Sequence, residues 1–146
     1  MTTATPTALN PQILGQAENA HRALLERALT GTGLTYRHWV TLKIAAAGGP
    51  AVQQQQLAGQ VAGALKIDAQ AAGESIARLT AAGLLEVRSG TAGLTAQGHD
   101  LHQRLSTAIG QTISQLYSAV SPEDLQVAGR VLAAITARAD AELATA

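Results

Sequence analysis

The chain has 146 residues, with 10 Lys plus Arg against 10 Asp plus Glu, and no Cys. This length favours one domain over a two-domain enzyme, and the balanced charge excludes a strongly basic protein that attracts polyanions over its whole surface. The lack of Cys excludes disulfides, thiolate metal sites and a cysteine nucleophile. Any contact with nucleic acid therefore has to depend on locally placed side chains.

Residues 1–10 are mostly polar, carry no charged side chain and lack the basic and apolar regions of a signal peptide. No apolar run reaches the roughly 18 residues that a membrane span needs. We therefore predict a cytoplasmic protein. Aromatic residues make up 2% of the chain and Phe is absent, so we expect a core of Leu, Ile, Val and Ala, a composition that favours helices.

Two helices are predicted before residue 50. Asn10 is a capping residue directly before Pro11, and Pro is favoured at the first helical position, so the first helix begins there and should end near residues 30–31. Thr35 is the expected cap of the second helix. The Gly-Gly-Pro sequence at residues 48–50 ends that helix, which is therefore short.

A helix-turn-helix pattern follows. Residues 52–65 are predicted as a third helix, because apolar residues recur at every fourth position after the Gln run. Asp68 can accept hydrogen bonds from the free N–H groups of a fourth helix, and Gly83 is placed to end it as the C′ residue. The expected buried side of the fourth helix consists of Ala72, Ile76 and Leu79.

The rest of the chain predicts a small hairpin and two long helices. Residues 84–88 and 91–94 are short strand patterns on either side of a Ser-Gly turn. Residues 95–120 carry apolar side chains at helical spacing and predict a long fifth helix. Ser121 and Pro122 are an N-cap and first-turn pair that starts the last helix.

Four motifs occur along these elements in a fixed order. They are Leu34-Thr35-x-x-x-Trp39-x-x-Leu42, Val61-Ala62-x-x-Leu65-x-Ile67-Asp68, Arg78-Leu79-x-x-x-Gly83-Leu84-Leu85 and Leu94-Thr95-x-x-Gly98. Each motif alone is common, but together, with the order of the elements, they cover nearly the whole chain. On these residues the chain resembles the MarR family of winged helix-turn-helix transcriptional regulators.

The resemblance implies a mainly α fold in one MarR-like domain over residues 1–146. A winged helix-turn-helix is then expected at about residues 52–95, with the hairpin as its wing. The first, long fifth and last helices, at about residues 11–33 and 96–146, would form a helical dimerisation region. The family likeness further implies a homodimer, double-stranded DNA bound by the fourth, or recognition, helix and the wing, and a small-ligand pocket between the dimerisation and DNA-binding regions.

Five side chains are candidate donors to DNA because they lie in or beside the recognition helix and the wing and can hydrogen-bond to phosphates or base edges. They are Lys66, Gln70, Ser75, Arg78 and Arg88. The helix departs from the family pattern, since it carries Glu74 and small residues where Ser, Thr and Arg are typical. The wing is also short. Arg78 alternatively is a solvated helix residue without a role in DNA binding.

Tyr36, His38 and Trp39 place much of the scarce aromatic and titratable chemistry of the chain in one turn of the second helix. The family's pocket lies beside this helix, so we predict that these three residues bind a small, aromatic or amphipathic ligand. The alternative is that Trp39 only anchors the core and that His38 is a surface residue.

No set of nucleophile, base and orienting group is readable, so we predict no catalytic residues and no cofactor. His99 and His102 share a helix face, but no third ligand accompanies them, and we predict no metal site. The alternative function is a MarR-like dimer without DNA binding, which serves as a small-molecule-binding protein or as an unusual small-molecule enzyme with His38 as acid or base.

Overall fold

The computed structural model describes residues 7–145; the polar segment predicted at the N-terminus lies largely outside them, since residues 1–6 are not described. The elements are α1 (Pro11–Ala28), α2 (Tyr36–Ala47), β1 (Val52–Gln53), α3 (Gln54–Leu65), α4 (Ala69–Ala81), β2 (Leu85–Arg88), β3 (Thr91–Leu94), α5 (Ala96–Tyr117) and α6 (Pro122–Ala144). The chain divides into two compact units, residues up to 109 and residues from 110 onward. The prediction of a single domain stays a prediction.

The helix starts follow the predicted caps. The Asn10 side chain accepts a hydrogen bond from the Ile13 N–H, and Pro11 is the first residue of α1. Asp68 accepts in the same way from the Ala71 N–H at 2.8 Å and so fixes the start of α4. Because these bonds satisfy N–H groups that have no partner inside the helix, they determine where each helix begins.

The end of α4 is also as predicted. Gly83 has φ +76°, a left-handed conformation that strains any residue with a Cβ atom, and it follows the C-cap of the helix directly. The turn before α4 requires the same conformation of Lys66, at φ 55°. The helix-turn-helix therefore contains one left-handed residue on each side of α4.

The predicted start of the third helix is wrong by two residues. Val52 and Gln53 form the short strand β1, which pairs antiparallel with β3 at Ala92 and Thr91. The sheet is therefore three-stranded, in the order β1-β3-β2, and not an isolated hairpin. Gly93 makes this pairing possible, because a Cβ atom there would overlap the Pro50 carbonyl group. Pairing with β3 supplies Val52 and Gln53 with partners that a helix start lacks.

The core of the first unit lies between α2, α3, α4 and the sheet. Its buried hydrophobic members are aliphatic apart from Trp39, which is 3% exposed, and the buried polar residues Thr41 and Ser75 lie beside them. Ala72, Ile76 and Leu79 form the buried side of α4, as their spacing predicts. Gly98 brings the start of α5 against the Leu84 carbonyl group, a position that no larger residue can occupy. The core thus holds α4 by one face and leaves its other face exposed.

The second unit consists of the end of α5 and the whole of α6, which begins at Pro122 with Ser121 as its N-cap, as predicted. No residue of α6 is buried. The long helix α5 ends at Tyr117, three residues before its predicted end. Among residues 7–145, no helix combines the length and the apolar character that crossing a membrane requires.

Candidate DNA-binding surface and ligand site

The exposed face of α4 is the candidate DNA-binding surface. Gln70, Gly73, Glu74 and Arg78 are all exposed on it. Gln70 lies 3.5 Å from Glu74 through its amide nitrogen, and Arg78 donates to the Gly33 carbonyl at 3.3 Å. The face thus offers one amide and one guanidinium, with a carboxylate between them in sequence. A surface with so few cations attracts a phosphate backbone weakly.

The two other predicted cations flank this helix in the chain. Lys66 is exposed in the turn before α4. Arg88 is exposed at the end of β2, and its guanidinium pairs with the Glu86 carboxylate at 2.6 Å. An exposed pair of this kind is weak and can exchange its partner for a phosphate, although Glu86 reduces the positive charge of the wing.

Ser75 does not belong to the exposed candidate surface of α4. Its side chain is buried, at 2% exposed, and its hydroxyl lies 2.8 Å from that of Thr41 in α2. The Thr41 hydroxyl itself donates to the Arg37 carbonyl at 2.9 Å. The predicted role of Ser75 as a donor to DNA is therefore wrong, because the packing of α2 on α4 covers this position. Residues 72, 75, 76 and 79 share the buried side of α4.

Beside α2 lies a surface cavity of about 530 Å³. It is formed by α1, the start of α2 and the residues on either side of Lys66, and it is lined by Arg22, Glu26, Thr35, Tyr36, Arg37, His38, Leu65 and Ile67. Tyr36 and His38, two of the three residues predicted to bind a ligand, both line this cavity, and their role in ligand binding stays a prediction. It adds two arginines, of which Arg37 adjoins the predicted residues in sequence and Arg22 comes from α1.

Two interactions fix the polar side of the cavity. The Arg22 guanidinium lies over the Tyr36 ring, 5.0 Å from its centroid, and also pairs with Glu18. The Thr35 N–H donates to His38 Nδ1 at 3.0 Å, in a capping box at the start of α2. Because Nδ1 accepts this bond, its proton is absent and the neutral ring carries its hydrogen on Nε2.

The pKa of His38 is lowered from its ordinary value. Burial of the ring is the largest cause, and the positive charges of Arg78 and Arg37 add to it. Each of these effects disfavours the charged imidazolium. His38 is therefore neutral at pH 7, in agreement with the acceptor role of Nδ1.

Trp39 does not line this cavity. Its indole packs in the core and stacks on the His102 ring of α5, with the centroids 5.5 Å apart and the planes 24° from parallel. The pKa of His102 is lowered by burial, by His99 and by Lys43. The three residues predicted as one ligand site thus lie in two places: Tyr36 and His38 line the cavity, and Trp39 lies in the core. The role of Trp39 as a core anchor is observed, and its role in ligand binding stays a prediction.

Sequence reasoning missed Arg22 and Arg37 as lining residues of the cavity and the contact of His102 with Trp39. Arg37 could have been included from its position between Tyr36 and His38. Arg22 and His102 have no such signal, because their partners are 14 and 63 residues away in the chain. Within residues 7–145, no three His, Asp or Glu side chains are arranged to hold a metal ion.

The comparison with solved structures supports the architecture. Ligand-free NadR matches with a TM-score of 0.76 and 22% identity, over 91% of this chain and 98% of NadR. The MarR family protein Rv2887 of Mycobacterium tuberculosis, in complex with DNA, matches with a TM-score of 0.67 and 21% identity, over 88% of this chain and 98% of that chain. This chain has a MarR-type winged-helix fold.

A third MarR-type structure is BpsR of Bordetella bronchiseptica, with a TM-score of 0.69 and 22% identity, over 90% of this chain and 98% of BpsR. The predicted fold class, a mainly α winged helix-turn-helix with a small β-wing, is confirmed by these MarR-type structures. No protein-family model and no curated protein sequence matches the chain. At these identities the MarR-type likeness describes the fold, and function has to be argued from the surfaces described above.

Proposed function

We propose that this chain is a cytoplasmic, ligand-responsive transcriptional regulator of MarR type that binds double-stranded DNA as a homodimer. The observation that carries this proposal is the way in which α4 is held in the fold. Its inner face is fixed by Ala72, Ile76 and Leu79 in the core, its start is fixed by the Asp68 cap, and its opposite face is exposed. A capped helix with one free face, next to a wing, can enter a major groove.

The structural neighbours support two parts of the proposal, DNA binding and the response to a small ligand. Rv2887 of the same fold has been solved in complex with DNA, and the structural work on BpsR describes regulation of its DNA binding by 6-hydroxynicotinic acid. NadR has been solved in complex with 4-hydroxyphenylacetate. Both small molecules are aromatic acids. We propose that a small aromatic ligand also changes the DNA binding of this chain.

The homodimer rests on exposed apolar side chains in the second unit. These residues, each more than a third exposed, are Leu116, Tyr117, Val120, Val127, Val131, Leu132, Ile135 and Leu143. Exposed apolar patches larger than a few hundred Å² are rare on monomers, and a second copy of the chain offers the same apolar helix to cover these side chains.

The test is retardation of the DNA upstream of the chain's own gene, measured at several salt concentrations. We expect binding that Arg78→Ala weakens, whereas Arg104→Ala on α5 leaves it unchanged; both arginines are exposed. Because Arg78 also bonds to the Gly33 carbonyl, the melting temperature of each variant has to be measured. If the unmodified protein does not retard this DNA at low salt, the proposal that it is a transcriptional regulator is wrong.

A second candidate function is a ligand-binding dimer without DNA binding. The exposed Glu74 and the pairing of Arg88 with Glu86 favour it, since both oppose contact with phosphates. In its enzymatic version His38 acts as acid or base through Nε2, because Nδ1 is occupied by the Thr35 N–H. Ligand binding without retardation of any DNA is the result that selects this candidate.

A further inference from the structure

The exposed face of α4 carries two long polar side chains in its first half. Gln70 is the second residue of the helix and Glu74 the sixth, and both are exposed. Residues four positions apart lie one above the other on a helix, about 6 Å apart along its axis. A recognition helix contacts base edges with its N-terminal residues, so Gln70 and Glu74 occupy the positions from which such a helix reads bases.

The residues that share this face are small. Gly73, Ala77 and Ala81 are exposed beside Gln70 and Glu74, and a Cβ atom added at Gly73 would meet open space. Small residues let the backbone of the helix approach a duplex closely. Because Gln and Glu side chains project farther than Gly and Ala, the amide and the carboxylate are the groups of this face that reach the floor of a groove first.

Gln70 and Glu74 also contact each other. The Gln70 amide nitrogen lies 3.5 Å from a Glu74 carboxylate oxygen, whereas the Arg78 guanidinium, one turn further, donates to the Gly33 carbonyl. An amide has two N–H donors and a carbonyl acceptor, and a carboxylate has about four acceptor positions. One bond between the two side chains therefore leaves each of them with groups that can bind a base edge.

The chemistry of each group selects a different base. A carboxylate accepts hydrogen bonds and donates none. In the major groove cytosine presents only its N4 amino donor, whereas guanine presents two acceptors and thymine presents an acceptor and a methyl group. Adenine presents a donor beside an acceptor, a pattern that an amide matches with two bonds. A carboxylate on this face therefore favours cytosine, and an amide favours adenine.

We propose that Glu74 is a specificity-determining residue that selects cytosine in each half-site of the DNA, and that Gln70 selects adenine at a neighbouring position. The inference rests on the proposed binding of DNA, and it explains the carboxylate with which α4 departs from the family pattern. Glu74 repels phosphates and so weakens binding to every sequence, but an N4 amino group opposite it offsets part of this loss. Since specificity is a difference of affinities, a group that penalises the other sequences raises it.

The first experiment is the selection of binding sites from a pool of random duplexes, followed by sequencing, with the full-length protein and its Glu74→Ala, Glu74→Gln and Gln70→Ala variants. We expect the unmodified protein to enrich a site with one fixed cytosine in each half. Glu74→Ala should remove this preference, whereas Glu74→Gln should change it to adenine. Gln70→Ala should remove only the neighbouring adenine. A new preference, unlike a lost one, cannot result from a loss of folding.

The second experiment is competition between single duplexes. Replacing the selected C·G pair by G·C should weaken binding of the unmodified protein about 5- to 100-fold, as one mismatched pair typically does, and should affect Glu74→Ala much less. N4-methylcytosine keeps the pair with guanine but places a methyl group where the amino hydrogen faces the major groove. It should weaken binding of the unmodified protein and leave that of Glu74→Ala unchanged.

The matched control is Glu142→Gln on α6, which makes the same change of net charge at another exposed position. It should keep the preference for cytosine. A site that is enriched equally by the unmodified protein, Glu74→Ala and Glu74→Gln overturns this inference and leaves the proposed regulator intact. The same conclusion follows if Glu142→Gln alters the preference as Glu74→Gln does. If the unmodified protein binds no duplex of the pool even at low salt, the regulator and this inference both fail.

Folding is checked by the melting temperature of each variant. If Glu74→Ala is less stable than the unmodified protein, the change of preference from cytosine to adenine in Glu74→Gln decides the question, because it requires a folded helix that contacts the base.

Discussion

At the scale of single residues, the buried pair of Thr41 and Ser75 joins α2 to α4. The Thr41 hydroxyl donates to the Arg37 carbonyl, so in the Thr41–Ser75 bond it is the acceptor and Ser75 is the donor. Both side chains are almost fully buried. A donor in such a place is costly to leave without a partner.

We expect Thr41→Val to destabilise the protein by about 1–3 kcal/mol, because it keeps the shape but removes the acceptor of the buried Ser75 hydroxyl. Ser75→Ala should cost less, roughly 0.5–1.5 kcal/mol, since Thr41 keeps its bond to the Arg37 carbonyl. Urea unfolding of both single variants and the double variant measures these costs and their coupling. Additive costs, without coupling, would contradict the described bond.

His38 gives a pH dependence at the same scale. Its pKa in the folded protein is lowered below the ordinary 6.5, chiefly by burial and then by Arg78 and Arg37. The unfolded chain therefore takes up a proton at higher pH than the folded chain does. The contribution of His38 to stability is complete above about pH 6.5 and is lost as the pH falls through the lowered folded value.

His38→Gln is the matched variant, because Gln at the third helical position can also complete a capping box but does not titrate. We expect the free energy of unfolding to fall less steeply below pH 6.5 in this variant than in the unmodified protein. His102, whose pKa is also lowered, is retained in both proteins and contributes equally to their slopes. Identical slopes would show that the His38 ring is not desolvated as described.

At the scale of elements, α4 is held in the fold as a recognition helix would be, but its exposed face has few groups that bind DNA. Its caps and its apolar side agree with a recognition helix, whereas Glu74 occupies the exposed side. The geometry of the helix therefore favours DNA binding, whereas its charge favours a protein that does not bind DNA. Substitutions that change the charge of the exposed face, and leave the caps and the buried side of α4 intact, separate the effect of charge from the effect of geometry.

We expect affinity for non-specific DNA to increase in the series Glu74, Glu74→Gln, Glu74→Arg, measured by retardation or anisotropy. The Arg variant should also steepen the salt dependence, by up to about 0.9 in the logarithmic slope for one added phosphate contact. The control is Glu142→Arg, which makes the same change of net charge on α6. An equal gain in both Arg variants would indicate a general charge effect and remove α4 from the DNA-binding surface.

At the scale of the whole molecule, α6 in the second unit leaves apolar side chains exposed. None of the residues of α6 is buried, and Val127, Val131 and Ile135 recur at intervals of four along it. This spacing places them on one face of the helix. A second copy of the chain is the partner that we propose for this face.

We expect Val131→Glu to convert the dimer to a monomer and to lower the melting temperature, because it places a charge in the proposed apolar interface. The control is Gln126→Glu, an exposed residue about 140° away around α6, which should leave the dimer intact. Light scattering at micromolar concentration measures the mass of each protein. A monomer in the unmodified protein would contradict the dimer, and so would an unchanged mass of Val131→Glu.

The sequence alone determined the order of the six helices and of strands β2 and β3, and the first residue of most helices. Caps such as Asn10, Asp68 and Ser121 act on N–H groups within three residues, and Gly83 ends α4 through its own backbone conformation. These are local effects, and they can be read without knowledge of the fold. The strand β1 could not be predicted from local sequence, because it forms only by pairing with β3, about 40 residues later in the chain.

Only the tertiary structure decided what each side chain of α2 and α4 faces. Ser75 and Arg78 are three residues apart, yet the packing of α2 buries the first and leaves the second exposed. Tyr36 and His38 line a cavity with Arg22, whereas Trp39 turns to the core and His102. These partners are brought together by helix packing, and adjacent residues of a helix point about 100° apart, so closeness in the sequence does not put them in the same site.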